Sequence, residues 1–118
     1  MARILLAEDD NSLRGFLTRA LERAGHDVVD CENGDDAIDA LENTGFDLLL
    51  TDIVMPGADG IEVARVASAR YPGMKIMFIS GFAAVALTAA QASPQAKVLA
   101  KPVHLRDLVD EVDRMIAA

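Results

Sequence analysis

The sequence predicts an α/β protein: a doubly wound sheet of five parallel strands with helices on both faces. Two observations carry this. Short apolar runs alternate five times with stretches of helical spacing, and repeated strand–helix alternation builds a parallel sheet covered on both sides. Runs such as Leu48-Leu49-Leu50 and Ile76-Met77-Phe78-Ile79 are apolar throughout, as strands buried on both faces must be.

The elements follow in order. Arg3–Ala7 reads as the first strand. Leu13, Phe16, Leu17, Ala20 and Leu21 then form an i, i+3, i+4, i+7, i+8 stripe, and Gly25 stands where that helix would be capped. His26 reads as a surface residue before a second strand over Asp27–Cys31. Ala37, Ala40 and Leu41 mark a shorter helix opened by the acids Asp35 and Asp36. A third strand is expected over Phe46–Thr51, and Val63, Val66 and Ala67 mark a helix stopped before Pro72-Gly73. Lys75–Ile79 is the fourth strand. The segment from Gly81 to Ala96 carries no charge, is rich in alanine, and should be helical from about Ala83 to Ala92, with Ser93-Pro94 ending it. Lys97–Ala100 is the fifth strand. Leu105, Leu108, Val109 and Val112 give the last helix an apolar face, with His104 a poor cap at its start.

Composition narrows the function. The 118 residues fit a single domain over 1–118, able to bury roughly two-thirds of its unfolded surface without a metal or disulfide staple. The lone Cys31 cannot form an internal disulfide, and a reducing cytoplasm is the expected setting. Acids arrive by residue 8, which argues against a secretory signal, and the longest runs without charge are too short or too broken by Ser, Gly, Gln and Pro to span a bilayer. Eleven basic against nineteen acidic residues give a net charge of −8, with no basic stripe and few aromatics, so nucleic acid is disfavoured as a partner.

In a doubly wound sheet, ligands bind at the carboxyl ends of the strands. The first strand delivers Glu8, Asp9 and Asp10; the third delivers Thr51 and Asp52; the fourth delivers Ser80-Gly81; the fifth delivers Lys101-Pro102. Clustered carboxylates repel unless a hard cation neutralises them, and oxygen ligands suit Mg²⁺. A carboxylate beside such a cation can attack phosphorus, while a hydroxyl and a lysine stabilise the transferred oxygens. Asp52, after the most apolar strand, is the natural nucleophile. Asp9 would hold the metal directly and Glu8 directly or through water, whereas Asp10 starts the first helix. Taken singly, each feature also has an ordinary structural reading, as a cap, a turn or a loop. The joint order at four strand exits favours the chemical one.

The segments "ILLAEDDN", "DLLLTDIVMPGADGIE", "IMFISG" and "VLAKP" resemble, in order and spacing, the motifs of CheY-like two-component receiver domains, from Arg3 to about Ile116. The resemblance implies a flavodoxin-like sheet in order 2-1-3-4-5 with five helices. It further implies Mg²⁺-dependent transfer of a phosphoryl group to Asp52 from a histidine kinase or histidine phosphotransferase. By position, Glu8, Asp9, Asp52 and the Val54 backbone carbonyl are the metal ligands, Ser80 the switch hydroxyl, and Lys101 the phosphoryl-binding lysine, with a cis bond to Pro102. Two departures stand out. Val98 occupies the fifth-strand position where the family carries a switch aromatic, and Phe82 either takes over that role or simply packs. Val54 and Phe82, at the positions that tune phosphoryl lifetime, are apolar and cannot orient an attacking water, so self-dephosphorylation should be slow.

With no output domain after Ala118, output is expected to pass through protein contacts, as a monomer or weak dimer. The uncharged Gly81–Ala96 face suits a partner surface, although a helix packed closely on the sheet explains it equally. The chain is also similar to stand-alone regulators of the bacterial cell cycle. That similarity implies an adaptor of the ClpXP protease and its substrates, active when unphosphorylated, with a cytoplasmic location extending to the cell pole. The terminal Ala117-Ala118 resembles tails that such a protease recognises, or is a fraying helix end. A relay intermediate would look the same in sequence. A phosphatase using an aspartyl phosphate would need a second acid where Val54 stands, and a flavin phosphate would be repelled by the acids after the first strand.

Overall fold

The computed structural model describes residues 1–92 and 95–118, leaving aside the side chains of 83–86 and 92. Its elements are β1 (Arg3–Ala7), α1 (Asn11–Arg23), β2 (Asp27–Cys31), α2 (Gly34–Asn43), β3 (Leu48–Asp52), α3 (Gly60–Arg70), β4 (Lys75–Ser80), α4 (Ala83–Ala92), β5 (Lys97–Ala100) and α5 (Leu105–Ala117). All strand pairs are parallel, in the order β2-β1-β3-β4-β5.

Alternation along the central strands divides the core in two. Leu5, Leu49, Ile76 and Phe78 pack toward α2, α3 and α4, meeting Leu41, Val63, Ala67 and Ala89. Ile4, Leu6, Leu48, Leu50, Met77 and Ile79 face the other way, toward Leu17 and Leu21 of α1 and Leu108 and Val112 of α5. Both faces are thus dry, which is why Leu48, Leu49 and Leu50 can follow one another without a polar break. The strand order reverses between β1 and β3, so the carboxyl ends of these two strands frame a crevice.

Local chemistry sets the helix ends. Asp10 caps α1, its Oδ1 accepting from the Leu13 N–H at 3.0 Å. The helix closes with Gly25 at φ +96°, the Gly25 N–H donating to the Glu22 carbonyl and the His26 N–H to the Leu21 carbonyl. Asp59 caps α3, and His104 at the start of α5 makes no capping hydrogen bond through its side chain, as expected.

Several expectations are corrected. The third strand runs Leu48–Asp52 and not Phe46–Thr51, because Asp47 is bracketed to Arg3 before the ladder begins. The Asp47 N–H donates to the Arg3 carbonyl, and its carboxylate accepts from the Arg3 N–H, each at 2.8 Å. The fourth strand extends one residue further, to Ser80. α2 is capped by Asn33, with Asp35 and Asp36 in its first turn. Phe16 leaves the α1 seam, 53% exposed and covered by the Arg19 guanidinium at 5.2 Å. His26 is not on the surface: its side chain is only 6% exposed, with Nδ1 accepting from the Ala2 N–H and Nε2 2.8 Å from Asp113. It joins the start of β1 to α5. The Ser93-Pro94 helix stop lies outside the described residues.

Candidate functional site

The crevice at the β1 and β3 exits collects the residues the sequence singled out. Glu8 follows the last residue of β1, and its N–H continues the ladder by donating to the Cys31 carbonyl at 3.1 Å. The chain then turns into α1, and the Asp10 N–H donates to Glu8 Oε2 at 3.1 Å, folding the Glu8 carboxylate back over its own loop. The side chain is fully buried. Asp9, next along, is exposed. Asp52 ends β3, with Oδ1 accepting from the Ile53 N–H at 2.7 Å and its backbone carbonyl accepting from the buried Thr51 hydroxyl at 2.7 Å.

Lys101 arrives from β5, whose exit is fixed by a hydrogen bond from its N–H to the Ser80 carbonyl at 2.9 Å. Its bond to Pro102 is cis. Nζ reaches Asp52 Oδ2 at 2.8 Å and Glu8 Oε1 at 3.0 Å, so one ammonium bridges two buried carboxylates. Burial by itself lowers the lysine's proton affinity, but its hydrogen bonds to Asp52 and Glu8 outweigh that and raise its pKa.

Glu8 bears the cost of the crowding. Desolvation lifts its pKa from 4.5 to about 7. The Asp10 amide and Lys101 oppose the rise, and the Asp52 charge adds to it. The folded state therefore keeps a proton that the unfolded chain releases, and metal-free stability should fall as pH climbs from about 4.5 to about 7, by about 3 kcal/mol at most. Denaturation of wild type and Glu8→Gln in EDTA, at about pH 5 and about pH 7.5, tests this. The variant should lack the slope, and saturating Mg²⁺ should remove it from wild type by taking the proton's place. A Glu8→Gln variant with the wild-type slope would contradict the assignment.

The site accommodates a hard cation. One ligand oxygen each from Glu8, Asp9 and Asp52 lies within 4.8 Å of the others, and the buried Glu8 Oε1 is met by the Lys101 ammonium at 3.0 Å, a position a metal cation could share. Three carboxylates and no nitrogen or sulfur donor suit Mg²⁺.

Ser80 stands at the β4 exit, but its hydroxyl is engaged with the next turn: it accepts from the Phe82 N–H at 3.0 Å and donates to the Phe82 carbonyl at 3.1 Å. Phe82 is 62% exposed and does not pack into the core. Val98 is half-buried against the α2–α4 side of the core, paired with Phe78. Val54 sits on the rim, half exposed. A cavity of about 670 Å³ lies at the opposite end of the sheet, near Ile61, Lys75 and Met115.

Three glycines that the sequence reading passed over shape the loop after Asp52. The Gly60 N–H donates to the Ile53 carbonyl at 2.7 Å, and a β-carbon there would stand 2.1 Å from the Asp52 carbonyl oxygen. A β-carbon on Gly34 would meet the Ala58 carbonyl oxygen at 1.8 Å. Gly57 takes φ +73°, leaving room for the Asp35 carboxylate that accepts from the Ala58 N–H. The signal was present as "GADG", but its meaning lies in backbone contacts made across the fold.

Residues 4–113 match the family described as the response regulator receiver domain. The chain is 58% identical over 119 residues to the response regulator receiver protein CpdR of Brucella abortus (strain 2308), covering 100% of this chain and 99% of that protein. Further curated relatives are longer, and the chain spans 24% of the length of several. Among solved structures, a response regulator receiver protein from Sinorhizobium medicae WSM419 superposes with a TM-score of 0.91 at 35% identity, covering 98% of this chain and 94% of that one. The response regulator TrrA of Thermotoga maritima, solved in complex with Mg²⁺ and BeF, gives a TM-score of 0.86 at 26% identity, covering 98% and 99%.

Proposed function

The chain belongs to the response regulator receiver domain family, and from that membership we propose that it is a phosphoryl switch, with Asp52 the acceptor, acting through protein contacts. The observation that carries this is the Lys101 ammonium held 2.8 Å from Asp52 and 3.0 Å from Glu8 at the point where strand order reverses.

In this reading a carboxylate oxygen of Asp52 attacks the phosphorus of a phosphohistidine on a kinase or phosphotransferase. A P–O bond to the carboxylate forms as the P–N bond breaks, and the imidazole leaves with a proton from solvent. Glu8, Asp9, Asp52 and the Val54 carbonyl would hold Mg²⁺, which would supply neutralising charge for the phosphoryl oxygens. Lys101 is positioned to follow one of those oxygens, since it already sits on Asp52. Ser80 supplies a second donor once its hydroxyl leaves the Phe82 carbonyl, and that exchange loosens the exposed Phe82 turn. With Val98 in place of an aromatic, Phe82 is the large side chain best placed to report the change.

Similarity to CpdR over the whole chain supports the finer assignment, a receiver that promotes ClpXP-dependent proteolysis when unphosphorylated and is switched off by phosphorylation. Pull-downs from lysate test it, using wild type, Asp52→Ala, and wild type held with Mg²⁺ and beryllofluoride. The first two should capture the same partners, ClpXP among them, and the third should lose them. An identical partner set in all three would contradict the switch.

A further inference from the structure

Asp9, the exposed member of the acid cluster, has no hydrogen-bond or ion-pair partner among the described residues. Where its carboxylate points is therefore set by its backbone, and above all by the peptide joining it to Glu8. The paired residues of β1 end with Ala7 and the ladder's last hydrogen bond is the one from the Glu8 N–H, so the Glu8 carbonyl lies beyond the strand pairing. It is taken by Arg14. The Arg14 side chain is only 16% exposed and spreads its donors over three anchors. Nη1 donates to the Glu8 carbonyl at 2.9 Å, Nη2 to the Asn11 carboxamide oxygen at 2.7 Å, and Nε to Asp30 Oδ2 on β2 at 3.2 Å. Its own N–H donates to the Asp10 carbonyl at 2.8 Å. A flat guanidinium tied at three points is a stiff brace, which a single ammonium cannot reproduce.

We propose that Arg14 is a positioning residue for the cation site, holding the Glu8–Asp9 peptide so that Asp9 faces Glu8 and Asp52. The proposal rests on the Mg²⁺ reading of that cluster. Groups that orient metal ligands from behind typically change affinity about 10–100-fold when removed. The sign separates this role from plain electrostatics. Arg14 is a cation near a cation site, so deleting its charge would by Coulomb's law tighten Mg²⁺, whereas losing the brace weakens it.

Calorimetric titration of the full chain with MgCl₂ tests this, comparing wild type, Arg14→Gln and Arg14→Lys. Arg14→Gln should bind about tenfold more weakly. Arg14→Lys, which keeps the charge and is the safer fold, should also bind more weakly, and hydrogen exchange at the Asp10 amide, bonded to Glu8 Oε2, should quicken in both. A purely structural role would lower the melting temperature and leave the affinity of the folded protein unchanged. Overturning results are unchanged affinity in Arg14→Lys, or equal or tighter binding in Arg14→Gln. Wild type that binds no Mg²⁺ would overturn the site itself, and the proposal with it.

Discussion

Replacing Lys101 with methionine should slow phosphoryl transfer to Asp52 by about 10²–10³-fold, the usual loss when one donor to the reacting oxygens is removed. The same change should strengthen Mg²⁺ binding. Lys101 occupies the cleft as a competing cation, bonded to Asp52 and Glu8, and without it both carboxylates are free to take the metal. Slower chemistry with tighter metal is not what a loosened fold would produce, since that weakens both. In EDTA the variant should also melt lower near neutral pH, because two buried carboxylates then face each other without a cation. Rates followed by mass spectrometry with a small phosphodonor, paired with calorimetric Mg²⁺ titration, check both halves. A wild-type rate in Lys101→Met would remove the lysine from the mechanism.

Gly60→Ala should destabilise the chain by at least about 3 kcal/mol, the upper end of what overpacking costs, because the added carbon meets backbone and not a side chain that can turn away. The oxygen it meets, at 2.1 Å, belongs to Asp52 itself. Any accommodation shifts the acceptor away from Lys101, so a folded residue of the variant should still accept phosphoryl poorly. Gly34→Ala, 1.8 Å from the Ala58 carbonyl oxygen, should be comparably damaging. Gly73→Ala is the control: nothing lies within 4 Å, so its stability should stay within about 0.5 kcal/mol of wild type. Urea unfolding of the three measures this. Gly60→Ala as stable as Gly73→Ala would contradict the close approach.

Much of the fold could be read directly. β1, β2 and β5 have the bounds their apolar runs suggest, because each run is cut off by charge, glycine or proline. Asp10 could be separated from Glu8 and Asp9 because capping is a local act. The convergence of Asp52, Glu8, Asp9 and Lys101 was legible because parallel strands deliver all their exits to one rim. What escaped was decided by distant partners. His26 looks like a surface residue until Ala2 and Asp113 close over it, 24 and 87 positions away. Phe16 fits the helical stripe, yet the sheet beneath α1 has room for Leu17 and Leu21 and not for it. Gly34 and Gly60 carry no local sign of the carbonyls pressed against them. The direction of the Ser80 hydroxyl, toward the Phe82 backbone, follows from a turn that apolar patterning does not encode.

Every step proposed for this switch depends on Asp52 as the acceptor. Incubation of the purified chain with Mg²⁺ and acetyl phosphate, followed by intact-mass and peptide mass spectrometry, measures it directly. One phosphoryl group should be added, map to Asp52, and disappear in Asp52→Ala and in EDTA. A wild-type chain that takes up no phosphoryl, or an Asp52→Ala chain that still does, would contradict it.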